Sequence, residues 1–365
     1  MLDTINFTDF VMQGVLSFLL FAGSLHIDLE SLRNKKVEVF ILATISTIAS
    51  TIIITFASYY LLRAISFEIP LIYCALFGAL ISPTDPIAVL SMLKELKAPK
   101  DIQTTIAGES LFNDGVGIVL FITLSHLVEQ DTGASIHMSE LFILFLKQVV
   151  GGVAFGCIFG WIGYKLIKQS TDNIPLAILI SIWIVTTGYY LAEHVIDISA
   201  PISMVCAGIF IGNKGKTFAL PTLVNQELNQ FWYIIDELLN SFLFLMVGLE
   251  CIALGIQDIS IYLLPMLLMI PTVLIARFIA VSFPLVTLDI LKRQNINHRL
   301  ISIITWGGLR GGLSIALVLS LPHTLERDLL FNLTYAIVIF SIIVQGLSIK
   351  PLFFTARKNV NDLHS

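Results

Sequence analysis

Apolar runs of about 20 residues recur from one end of this 365-residue chain to the other. Each is long enough to cross ~30 Å of hydrocarbon as an α-helix. Only 13% of residues are charged and 56% are hydrophobic, whereas soluble domains carry roughly 25% charged residues. The pattern predicts an all-α polytopic membrane protein without a soluble domain. Eleven spans are expected, over 8–27, 37–62, 70–92, 103–126, 141–164, 174–193, 198–213, 229–249, 260–288, 300–320 and 329–353. The seventh is short, which predicts tilt or irregularity, and the ninth contains Pro265, Pro271 and Pro284.

Lysine and arginine set the orientation. The stretches after the odd-numbered spans hold Arg33, Lys35 and Lys36; Lys94, Lys97 and Lys100; Lys165 and Lys168; Lys214 and Lys216; Lys292, Arg293 and Arg299; and Lys350, Arg357 and Lys358. The opposite side has only Arg63 and Arg327. The N-terminus is therefore expected outside and the C-terminus in the cytoplasm. The first run is flanked by Asp3 and Asp9 and lacks a basic lead, so it reads as a span and not a signal peptide. Cys74, Cys157, Cys206 and Cys251 stand singly in apolar segments and read as packing residues. His126, His194 and His323 read as interfacial, and the acidic stretch from Val128 to Glu140 as a solvated external loop.

Two spans carry their own interruptions. In "GALISPTDPIAVL", Pro83 and Pro86 lack an N–H and disfavour helix in the residue before each. The Thr84-Asp85 pair between them should unwind near mid-membrane. In "WGGLRGGLSIAL", Gly307, Gly308, Gly311 and Gly312 surround Arg310; glycine lowers helix stability by about 1 kcal/mol per residue relative to alanine. Unwound backbone at that depth is tolerated only when buried in protein or lining a wet cavity. Spans 3 and 10 run in opposite senses, as an inverted repeat requires, and paired interruptions of this kind point to a central binding site. Half-helix ends carry partial charge, positive at N-termini and negative at C-termini. Asp85 can offset the first, and Arg310 the second or the nearby carboxylates.

The fourth span places "GESLFNDGVGIVLF" in an otherwise apolar helix. Ser110, Asn113 and Asp114 share one face at i, i+3 and i+4, and Glu109 and Asn113 are also i, i+4. Gly108, Gly115 and Gly117 permit close approach of another backbone, for which the Thr84-Asp85 break is the candidate. Carboxylate, hydroxyl and carbonyl oxygens suit a hard monovalent cation, and no His or Cys cluster suggests a transition metal. The deepest charges are Asp85, Glu109 and Asp114 against Arg277 and Arg310, which leaves one carboxylate without a fixed partner. Charged groups inside a membrane pair with one another or mark an ion pathway. A spare carboxylate takes a proton or a metal cation in turn, which is the chemistry of exchange at one site. Asp236 and Glu237, early in span 8, read as lining the internal mouth or capping neighbouring helix ends.

The segments "LLFAGSLHIDLESLR", "ALISPTDPIAVL", "GESLFNDGVGIVLF", "LAEHVIDISAPISMVCAGIFIGN", "NSFLFLMVGLE" and "TWGGLRGGLSIALVLSLP" follow one another along the chain. In that order they resemble the cation:proton antiporter family, in the branch of bacterial NhaP-type sodium/proton antiporters and eukaryotic sodium/proton exchangers. The resemblance implies that Asp114 binds the ion and the proton while Asn113 stabilises the pocket. It implies further site oxygens from Ser110, Thr84 and Glu109, with the cation held at Asp114, Ser110 and Thr84. It also implies Asp85 beside one unwound segment, Arg310 as its counterpart in the other, and Arg277 paired with Glu109. Electrogenic relatives carry Asp-Asp where this chain has Asn113-Asp114, so electroneutral exchange of one cation for one proton is implied. Family members commonly have about two further helices ahead of the segment that opens this chain, and those are expected to be missing here.

The expected function is secondary antiport of Na+ (or Li+) against H+ by alternating access at a single carboxylate, serving pH homeostasis, with no enzymatic step and no cofactor. A K+/H+ antiporter is the alternative; a cation channel is a lesser one, since no carbonyl-lined filter repeat is present. The whole chain is expected to form one transporter domain. Its first core helices are expected over 37–126 (broken span 70–92, ion-site helix 103–126), its scaffold helices over 141–249, and its second core helices over 260–353 (broken span 300–320). The two broken spans are expected to cross at mid-membrane. The expected partners are monovalent cations, protons, membrane lipid and a second copy in a homodimer, with no nucleic acid. The expected location is the bacterial inner membrane.

Overall fold

The structure, a computed structural model, describes residues 14–86, 89–90, 93, 100–129, 138–170, 172–217, 221–253, 259–292, 298–322 and 324–349. In chain order they form α1 (Leu16–Leu25), α2 (Lys36–Ala64), α3 (Leu71–Ile81), α4 (Lys100–Glu129), α5 (Met138–Gln169), α6 (Ile174–Ile196), α7 (Ala200–Thr217), α8 (Thr222–Ala253), α9 (Ile259–Lys292), α10 (His298–Gly307), α11 (Gly312–Leu319) and α12 (Glu326–Ile349). Among the described residues the one departure from helix and loop is an isolated antiparallel bridge between Asp85 and Leu309. The all-α expectation holds, and each expected span has its helix, with spans 3 and 10 both interrupted. Six of the helices are long and apolar enough to cross a membrane. Most of the loop between α4 and α5, His323, and the basic residues Lys94, Lys97, Arg293, Lys350, Arg357 and Lys358 lie outside the described residues.

Local chemistry explains where the helices begin and end. Asn173 caps α6, its Oδ1 accepting from the Leu176 N–H at 3.1 Å, with Pro175 in the first turn where its missing N–H is harmless. Thr324 caps the last helix by accepting from the Arg327 N–H at 3.2 Å. Past α6, Asp197 takes a left-handed conformation (φ 57°), one that aspartate tolerates better than most residues, and its carboxylate pairs with Lys147 at 2.7 Å. The short seventh span is an unbroken helix, and α9 stays helical across its three prolines.

The chain divides into two compact units, Met1–Asn34 with Ile118–Gly255, and Lys35–Gly117 with Ile256–Ser365. In the first, α7 packs against α5 and α1 around a core that includes Phe21, Ile184, Met204 and Trp232. Trp232 is fully buried, and its indole N–H donates to the Ser181 hydroxyl at 3.0 Å. A Cβ on Gly160 would stand 2.9 Å from the Ala207 Cα, so α5 and α7 meet nearly backbone to backbone, as membrane helices with small contact residues do. Cys157 and Cys206, expected to stand singly, are neighbours across that contact, where a Cβ on Gly156 would stand 2.8 Å from the Cys206 Cβ. Asp236 and Glu237 on α8 belong to this unit. Asn240 donates to Asp236 and Ser241 donates to the Glu237 carbonyl, all within one helix. His126 and His194 are exposed, and His194 stacks on Tyr190 at 4.9 Å.

The second unit contains two groups of three helices, each with a broken middle member. One comprises α2, α3 with its continuation, and the first part of α4. The other comprises α9, α10 with α11, and α12. Leu42, Val89, Ile106, Val281, Ile304 and Leu309 are among the side chains of its core. Both units expose large apolar side chains, among them Phe142 and Trp161 on α5 and Phe283 and Ile290 on α9. This is an integral membrane protein, and lipid is the solvent for those faces.

Candidate functional site

The site forms where two helices stop. α3 ends before Pro83 and Pro86, which remove two amide donors within four residues. α10 ends at Gly307, and α11 begins at Gly312. The open backbones pair: the Asp85 N–H donates to the Leu309 carbonyl at 2.8 Å. Ser82 to Thr84 and Gly307 to Gly312 are all buried, so every peptide group there needs a partner.

The charges at the breaks are exchanged. Arg310 lies in the second break, and its Nη1 donates to the Ser82 carbonyl and, at 2.6 Å, to the Pro83 carbonyl. Those carbonyls lie at the C-terminal end of α3, where the helix dipole leaves partial negative charge. Asp85 reaches the other way. A Cβ on Gly311 would stand 2.7 Å from its Oδ2, which places that carboxylate at the N-terminus of α11. Each break supplies the charge that suits the helix end at the other.

α4 grips the first break. Asn113 Nδ2 donates to Thr84 Oγ1 at 2.8 Å and to Glu109 Oε1 at 3.0 Å, while its Oδ1 accepts from the Thr84 N–H at 3.3 Å. Ser110 Oγ donates to the Thr84 carbonyl. A Cβ on Gly117 would overlap the Pro83 ring, so glycine here permits the close approach. Glu109 also forms an ion pair with Arg277 of α9, through Oε1 and Nη2, and both side chains are buried.

Asp114 is held differently. It is partly buried, and its carboxylate forms no hydrogen bond or ion pair among the described residues. Asp85, Glu109 and Arg310 are the charges that act on it. Thr84, Asp85, Glu109, Ser110, Gly307 and Gly308 line a small cavity at the breaks, and Asp114 is not among its lining residues. Seven of the eight candidate residues are thus tied together by bonds or by contact with the breaks, and Asp114 joins them through electrostatics alone. The polar groups gathered at the breaks, the Thr84 and Ser110 hydroxyls, the Thr84 carbonyl and the Glu109 carboxylate, are hard oxygens.

Two residues absent from the sequence reasoning take part. Ser341 Oγ accepts from the Arg310 N–H at 2.8 Å, and Gln345 Nε2 donates to the Trp306 carbonyl at 3.0 Å. Both sit on α12, four residues apart on one face of an otherwise largely apolar stretch, and that spacing was the available signal.

Residues 3–355 match the family described as "Sodium/hydrogen exchanger, transmembrane". The chain belongs to this family. The Na(+)/H(+) antiporter NhaP of Pseudomonas aeruginosa is 40% identical to it over 350 residues, covering 95% of this chain and 81% of that protein. The Na(+)/H(+) antiporter NhaH of Halobacillus aidingensis is 36% identical over 344 residues, covering 94% and 82%. In fold, this exchanger-family chain is similar to the solved sodium proton antiporter MjNhaP1 from Methanocaldococcus jannaschii at pH 8. The TM-score is 0.78 at 19% identity, over 96% of this chain and 88% of that one.

Proposed function

We propose that this member of the sodium/hydrogen exchanger family is a secondary antiporter exchanging one Na+ (or Li+) for one H+ at Asp114. One contrast carries the reading. Glu109 is bound by Arg277 and Asn113, and Arg310 donates to backbone carbonyls, whereas Asp114 has no such bond among the described residues. Asp114 is neutral when it holds a proton or a monovalent cation and charged when bare. Carrying an uncompensated charge through a low-dielectric path costs several kcal/mol. The loaded forms therefore cross and the bare form does not, and sharing one carboxylate in turn makes the exchange electroneutral.

Ser110 and Thr84 supply hydroxyl and carbonyl oxygens of the kind a hard cation takes, and Asn113 holds Thr84 in place. The choice of Na+ is supported by the names of the bacterial and archaeal relatives. We take the unit of Lys35–Gly117 and Ile256–Ser365 as the transport core and the other unit as scaffold, with access to Asp114 alternating between the two sides. The distribution of Lys and Arg supports an external N-terminus and a cytoplasmic C-terminus in a bacterial inner membrane. A homodimer completes the reading.

The test is Na+-driven proton flux in vesicles that enclose a pH dye, recorded with and without an imposed membrane potential. Saturable flux with Na+, weaker flux with K+, and no steady coupled current are expected. Equal or faster flux with K+ contradicts the assignment of the ion, and a coupled current contradicts the stoichiometry.

A further inference from the structure

We infer that Ser341 and Gln345 are positioning residues for ion exchange, setting the geometry of the second break and, through Arg310, that of the first. Their role rests on Asp114 being the exchange site. Both belong to a π-helical turn, Ser341–Gln345, inside an otherwise α-helical α12. Single π turns within α-helices are frequent at functional sites.

The two bonds fall on opposite sides of the break. Trp306, whose carbonyl Gln345 binds, is in the last turn of α10; Arg310, whose N–H Ser341 binds, stands just ahead of α11. Backbone that leaves a helix between those points loses its i→i−4 partners, and a buried unpaired donor or acceptor is costly. A single turn of α12 supplies both replacements. Gln345 also borders a small cavity with Thr305, Gly308, Arg277 and Arg310.

The effect extends to the cation oxygens. Ser341 fixes the Arg310 backbone, and the Arg310 guanidinium binds the Ser82 and Pro83 carbonyls next to Thr84. Arg310 also interacts electrostatically with Asp114. At the first break α4 does the same work with Ser110 and Asn113. α4 and α12 are the third helices of their groups, so the two grips are counterparts within the repeat.

The experiment compares Ser341→Ala, Ser341→Thr, Gln345→Met and Asp114→Asn in vesicles. It records Na+-driven proton flux against Na+ concentration and pH, together with the melting temperature of the purified protein. Loss of one buried hydrogen bond predicts a KM for Na+ about fivefold higher in Ser341→Ala and in Gln345→Met. A displaced pH profile and a smaller change in maximal flux should accompany it. Ser341→Thr keeps the hydroxyl and should restore both KM and pH profile. A lower melting temperature with KM and pH profile unchanged is the signature of a merely structural role and overturns the inference. If Ser341→Ala does not insert, Gln345→Met decides by the same readout. Flux retained by Asp114→Asn overturns the reading of the site itself. An inactive Asp114→Asn beside wild-type kinetics in Ser341→Ala and Gln345→Met overturns this inference alone.

Discussion

The Arg310 guanidinium donates to the Pro83 carbonyl at 2.6 Å, so the charge that closes one broken helix comes from the break in another. A second bond from the same nitrogen takes the Ser82 carbonyl. Lysine carries equal charge, but its side chain ends one bond short of the position that Nη1 reaches. Arg310→Lys should therefore lose one of the two charged hydrogen bonds, worth about 2 kcal/mol. The expected readout is a lower melting temperature and flux reduced roughly tenfold or more. Arg310→Lys with wild-type flux would show that the charge alone suffices.

Glu109 and Arg277 form a buried ion pair. Removing one member leaves the other charge uncompensated, which costs about 3–5 kcal/mol. Glu109→Leu or Arg277→Met alone should be strongly destabilised in thermal melts. The double variant should recover much of the loss, because an apolar pair of similar volume needs no counter-charge. Additive losses in the double variant would show that the two residues are not coupled.

Both breaks were legible in the sequence because their causes are local. Pro83 and Pro86 lack amide hydrogens wherever the chain goes, and four glycines around Arg310 weaken any helix there. Helical spacing likewise placed Ser110 and Asn113 on one face, and the structure brings both onto Thr84. What bonds across the fold was not legible. Sequence allowed Arg310 either helix-end carbonyls or carboxylates, and only tertiary register decides between them. Ser341 and Gln345 meet partners 31 and 39 residues away, and no short-range pattern encodes that contact. The neighbouring thiols of Cys157 and Cys206 were hidden for the same reason.

Gly311 faces Asp85, whose Oδ2 would stand 2.7 Å from an added Cβ. Gly311→Ala must push that carboxylate away from the N-terminus of α11, and a marked fall in flux is expected. Gly248 has open space around it, so Gly248→Ala is the matched control and should keep full flux while gaining up to about 1 kcal/mol of helix stability. Equal flux in the two variants would remove the significance of the Asp85 contact.

In the exchange proposed at Asp114, sodium and proton exclude each other at one carboxylate. Acidification loads Asp114 with protons, so the apparent KM for Na+ should rise as pH falls. Where the protonated form dominates, the rise should approach about tenfold per pH unit by mass action. Initial rates over a grid of Na+ concentration and pH check this. A KM independent of pH would mean that the two ions use separate sites.

Calorimetric titration of the purified protein with Na+, repeated in buffers of different ionisation enthalpy, measures cation binding and proton release together. With Asp114 protonated at the start, the wild-type protein should release close to one proton for each Na+ bound, and Asp114→Asn should bind no Na+ and release none. Sodium binding without proton release, or binding that survives in Asp114→Asn, would contradict exchange at this carboxylate.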